Sequence, residues 1–70
     1  MKLRGTVRFR DIEAGVWVLE GDDGVTYALA GGDRHLKRDG EVAEVEGEVS
    51  DSPNAHMVGP VIRVRRYSFP

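Results

Sequence analysis

Two adjacent acids, Asp22 and Asp23, lie between Gly21 and Gly24 in the stretch VWVLEGDDGVTYAL. Paired carboxylates in a glycine-flanked loop are a group that could hold a divalent cation or pass a proton. A calcium loop, however, needs several spaced oxygen ligands and a late glutamate, and GDDG has neither. Asp51, Ser52 and His56 are the residue types of a nucleophile triad, but they share one short loop beside Pro53. Nothing there imposes the fixed geometry that such catalysis requires. His35 and His56 are the only histidines, and their spacing to acids follows no metal motif. The chain has no cysteine, which removes disulfides and thiolate metal sites. The reading is a non-enzyme with no catalytic residue, metal or cofactor.

If GDDG is not chemistry, it is a turn, and the flanking residues say which turn. Trp17 and Leu19 share a parity before it; Tyr27 and Leu29 share one after it. A two-residue turn at Asp22-Asp23 or Asp23-Gly24 sends the two pairs to opposite faces, because side chains alternate along a strand. A three-residue loop, Asp22-Asp23-Gly24, sets Trp17 opposite Leu29 and Leu19 opposite Tyr27. Such loops are typically a type I turn closed by a left-handed residue in a G1 bulge. Gly24 occupies that position at no Cβ penalty.

Three further runs alternate in the same way. In Lys2 to Arg10, Leu3, Gly5, Val7 and Phe9 face one side, and Lys2, Arg4, Thr6, Arg8 and Arg10 the other. In Glu41 to Val49, Ala43, Val45, Gly47 and Val49 alternate with Glu44, Glu46 and Glu48. In Met57 to Tyr67, Ile62 and Val64 face inward, with Val61, Arg63 and Arg65 outward. Between the third and fourth runs, Asp33 can cap one short helical turn, Arg34 to Lys37, whose single apolar residue is Leu36. Residues 11–15 and 50–56 read as loops.

Seventy residues make one small domain, 1–70, with a modest core. Five strands with one short helical turn between the third and fourth predict an all-β fold: a small five-stranded Greek-key barrel of the OB type. The pattern that carries this is Gly5-x-Val7, Trp17-x-Leu19, Asp23-Gly24-x-x-Tyr27-x-Leu29, Leu36, Gly40, Val45-x-Gly47-x-Val49 and Gly59-Pro60-x-Ile62-x-Val64. It resembles small bacterial OB-fold domains of uncharacterised function. The resemblance implies a strand order 1-2-3-5-4-1 and carries over no catalytic residue. That order would seat the acidic row of strand 4 between the basic rows of strands 1 and 5, as cross-strand pairing favours.

The net charge is −2 with a pI near 5.6, so a general polyanion binder is not the first expectation. The start, MKLRGTVRFRD, lacks the apolar stretch of a signal peptide, and no apolar run reaches membrane-spanning length. With the absence of cysteine, these features fit a cytoplasmic location. The expected function is a binding or interaction module. Its partner is expected to be protein, including a second copy of itself, and its surface the outer face of strands 2, 3 and 5. Val16, Val18, Thr26, Ala28 and Val61 would form that face, with Arg63 and Arg65 beside it; exposed apolar patches mark such contacts. The alternative is weak single-stranded nucleic-acid binding through Arg63, Arg65, Arg66 and Tyr67.

Overall fold

The computed structural model describes residues 1–11, 15–50 and 60–70. Asp51, Ser52, His56 and the stretch from Met57 to Gly59 lie outside the described residues. Five strands form: β1 (Lys2–Arg10), β2 (Val16–Gly21), β3 (Thr26–Ala30), β4 (Val42–Ser50) and β5 (Val61–Ser68). They close into a barrel in the order β1-β2-β3-β5-β4. All neighbours are antiparallel except β3 and β5, which run parallel. The all-β barrel and its strand order are those expected. Closure leaves no long unpaired strand edge among the described residues. No helix among the described residues is long and apolar enough to cross a membrane.

The β2–β3 hairpin has the register that unites the large apolar residues. Leu19 faces Tyr27, and Val18 faces Ala28. Gly21 N–H donates to Val25 C=O at 2.8 Å, and Gly24 N–H donates to Gly21 C=O at 3.0 Å. That closes the loop over Asp22, Asp23 and Gly24. Gly24 has φ of +85°, the left-handed conformation that favours glycine.

The core is one cluster: Leu3, Val7, Leu19, Tyr27, Leu36, Ala43, Val45 and Ile62, with Trp17, Leu29, Val64, Tyr67 and Phe69 packed against it. Leu36 comes from the β3–β4 connection and is 1% exposed. It sits in a turn with two successive i+3→i bonds, Leu36 N–H to Asp33 C=O and Lys37 N–H to Arg34 C=O, both 3.1 Å. Asp33 Oδ1 also accepts from His35 N–H at 3.0 Å, as a capping acid does. The expected helical turn is therefore a pair of tight turns; the described residues contain no helix.

The charge rows fall as the strand order requires. Lys2 faces Glu46, and Arg4 faces Glu44, across β1 and β4. On the other side Arg66 pairs with Glu46 at 3.5 Å, and Arg65 with Glu48 at 4.0 Å.

Two expectations are corrected. The first concerns β5. The β4–β5 register shifts between Glu46 and Gly47, where Glu46 faces Arg66 but Gly47 faces Val64. Arg65 is the extra residue of a β-bulge, and a bulge reverses side-chain parity beyond it. Ile62 and Val64 point inward before it; Tyr67 and Phe69 point inward after it. Tyr67 thus packs on the core instead of joining Arg63, Arg65 and Arg66 on a nucleic-acid surface. Gly47 makes the close approach possible: a Cβ there would lie 1.9 Å from Arg63 C=O.

The second concerns the outer face of β2, β3 and β5. Val18 is 0% and Ala28 1% exposed, yet neither belongs to the central cluster. Arg8, Val18, Ala28 and Val61 form one cross-strand row, in which only Arg8 is exposed and Val61 is half-buried. Parity decides which way a side chain points; packing decides whether it meets solvent. Val18 and Ala28 point out of the barrel and are buried there, so this row is not an open docking face.

Candidate binding site at the barrel mouth

Of the two acids that first suggested chemistry, Asp23 has its carboxylate occupied by the fold itself. Asp23 Oδ1 accepts from Val25 N–H at 3.0 Å, and its Oδ2 accepts from the Tyr27 hydroxyl at 2.7 Å. The Tyr27 bond, then the backbone bond, holds the Asp23 carboxyl below its ordinary value. The same bond raises the Tyr27 hydroxyl. Asp22 donates its backbone N–H to Arg4 C=O at 2.9 Å. A second acid–tyrosine pair joins distant segments: the Tyr67 hydroxyl donates to Asp33 Oδ1. That bond lowers Asp33 and raises Tyr67. Both pairs are structural ties. His35 is exposed, and its Nδ1 lies 3.7 Å from Asp33.

A concavity arises where strands part. β2 stays paired with β1 as far as Arg10 opposite Val16. β3 stays paired with β5 as far as Ala30 opposite Arg63. Between β2 and β3, however, the ladder ends at Val18 opposite Ala28. Beyond that point the two strands follow different partners, leaving a fork at one end of the barrel. A cavity of about 340 Å³ lies in it. Val16 and Trp17 line the β2 side; Gly31 and Gly32 continue the β3 side. Leu29 and Leu36 supply apolar lining, and Lys37 is the one charged residue among the described lining residues.

The aromatic residues at this mouth differ from their sequence reading. Phe9 shares its parity with Leu3 and Val7, and Trp17 with Leu19. Phe9 is 45% exposed, and Trp17 is half-buried. Both lie near the end of the barrel, where the pleat still aims them inward but little core remains to cover them. Their rings sit 5.2 Å apart, tilted by 59°, a favourable aromatic arrangement. Gly15 admits the Phe9 ring. Its φ is +99°, and a Cβ there would lie 2.7 Å from Phe9 Cζ.

The other named residues are not brought together as a site. Val16 is part of the cavity wall. Thr26 is half-buried at the far end of β3, and Arg63 is exposed on β5. Arg65 and Arg66 face acids of β4. A smaller cavity of about 230 Å³ lies among Lys2, Glu44, Glu46, Arg66, Tyr67 and Ser68, where opposite charges already face one another. Sequence reasoning did not name Leu29, Gly31, Gly32, Leu36 or Lys37 as a site. The available signal was the break AGG directly after a strand, followed by a lone leucine and a lysine. No protein-family model, no curated protein and no solved structure matches this chain.

Proposed function

We propose that this chain is a non-enzymatic binding module that contacts a partner protein through the fork between β2 and β3. One observation carries the reading: the half-buried Trp17 lines an open cavity together with Val16, Leu29, Leu36, Lys37 and glycine backbone. Ligand sites are commonly concave, with volumes of roughly 300–1,000 Å³. The cavity lies at the lower end of that range, which suits one side chain better than a large cofactor. The outer charge rows support the same reading, since their arginines face glutamates instead of forming a continuous basic track.

Trp17 is the only tryptophan, so its emission reports this site directly. The test is a screen of short peptides, followed by Trp17 emission and backbone amide shifts. Binders that shift Trp17 emission and move the amides of Gly15–Trp17 and Leu29–Gly32 are expected. Binders that move only the outer face of β1, β4 and β5 would overturn the assignment.

A further inference from the structure

Resting on that reading, we propose that the fork takes an acidic peptide segment that inserts one large apolar side chain between β2 and β3. The cavity is small, about 340 Å³, and opens at the barrel end. Leu29 and Leu36 line it together with Trp17, so an apolar group entering there meets three large apolar side chains set among glycine backbone and leaves water.

Charge chooses the flanking residues of the partner. Lys37 is the one charged group among the described residues that line the cavity, and none of those residues carries a carboxylate. Lys37 forms no ion pair with a described acid within 4.0 Å. Its own loop also carries Arg34 and Arg38; Arg38 lies 4.6 Å over the Phe69 ring.

Three described acids already serve internal donors. Asp39 Oδ1 accepts from Phe9 N–H at 3.0 Å. Asp33 accepts from the Tyr67 hydroxyl and His35 N–H. Glu20 accepts from Arg8 and Arg10. A carboxylate beside the inserted side chain would meet Lys37 at the rim, where complementary charge steers association and sets specificity.

A single nucleic-acid strand fits less well. It stacks successive bases on open aromatic faces along a basic groove. Here one aromatic pair is packed against itself, and Lys37 is the one cation among the described residues lining the cavity.

The experiment uses three probes: a capped peptide with leucine between pairs of glutamates, its lysine-flanked twin, and a short oligothymidylate. Each is titrated against the full chain while Trp17 emission and backbone amide shifts are followed. The glutamate peptide is expected to bind best and to perturb the amides of Gly15–Trp17, Leu29–Gly32 and Lys37. Lys37→Glu, at an exposed position, should weaken it about fivefold, the scale of one rim charge pair, and favour the lysine twin. Equal binding of both peptides at the mouth, unchanged by Lys37→Glu, would leave the site standing and overturn the acidic specificity. Binding of the glutamate peptide away from the fork, or no shift at millimolar peptide, would overturn both readings. Preferred binding of the oligothymidylate at the mouth would overturn the peptide and establish a nucleic-acid ligand.

Discussion

Single residues in this barrel are constrained by two different physical demands, and two glycines separate them. Gly24 has φ of +85° and open space where a Cβ would go. Only the left-handed backbone resists a side chain there, so Gly24→Ala should cost about 1 kcal/mol. Gly47 has no such φ, yet its Cβ would lie 1.9 Å from Arg63 C=O. Relieving that overlap requires β4 and β5 to separate, so Gly47→Ala should cost about 3 kcal/mol or more. Urea unfolding of both variants checks the order; a smaller loss at Gly47 would deny the close strand approach. The tied acids give a pH dependence. The carboxyls of Asp23 and Asp33 are lowered in the fold, mainly by bonds from Tyr27 and Tyr67. A lowered carboxyl stabilises the fold fully above its unfolded value, near 3.8, and loses that effect as pH falls through the folded value. Stability should therefore fall below about pH 4. Carboxyl carbon shifts of Asp23 and Asp33 should titrate below those of a peptide aspartate.

At the scale of elements, the bulge in β5 and the fork between β2 and β3 shape the molecule most, and they were unequally legible. The hairpin register followed from Trp17, Leu19, Tyr27 and Leu29 because parity admits only one loop length there. The charge rows followed from strand order. The bulge left a trace: apolar residues at 62 and 64 resume at 67 and 69, with Arg65-Arg66 marking the skipped position. A strict alternation through Tyr67 misses that step. The fork left almost none, since it depends on β3 following β5 when β2 follows β1, which no local pattern encodes. Beyond the bulge, the inward turn of Tyr67 lets its hydroxyl reach Asp33 and tie the β3–β4 connection to β5. Tyr67→Phe should keep the ring packing and cut this tie. Amide exchange at Leu36 and Lys37, whose N–H groups close the tight turns, should then become several-fold faster, with exchange in β1 and β2 unchanged. Equal exchange in both proteins would mean the turn holds without the tie.

The whole molecule has little stability to lose, and that makes the buried outer row decisive. At roughly 0.05–0.15 kcal/mol per residue, a chain of 70 residues has about 3.5–10 kcal/mol in all. Val18 lies outside the central cluster and points away from the barrel axis, yet it is 0% exposed. A surface valine of a docking face would tolerate glutamate within about 0.5 kcal/mol, and the change would disturb only association. A buried valine cannot. A carboxylate at that position would lose its water without a built partner, a penalty of several kcal/mol. Val18→Glu should therefore abolish cooperative folding or lower the urea midpoint drastically. Val18→Ala, which removes two methyl groups, should cost about 1–2 kcal/mol and remain folded. Circular dichroism and urea titration of the two variants measure this directly. A stable, fully folded Val18→Glu protein would mean that the outer row is open to solvent, restoring Val16, Val18, Ala28 and Val61 as the contact face. A destabilised one, beside a Lys37→Glu protein with unchanged unfolding, would separate the residues that hold the barrel from the mouth left free to bind.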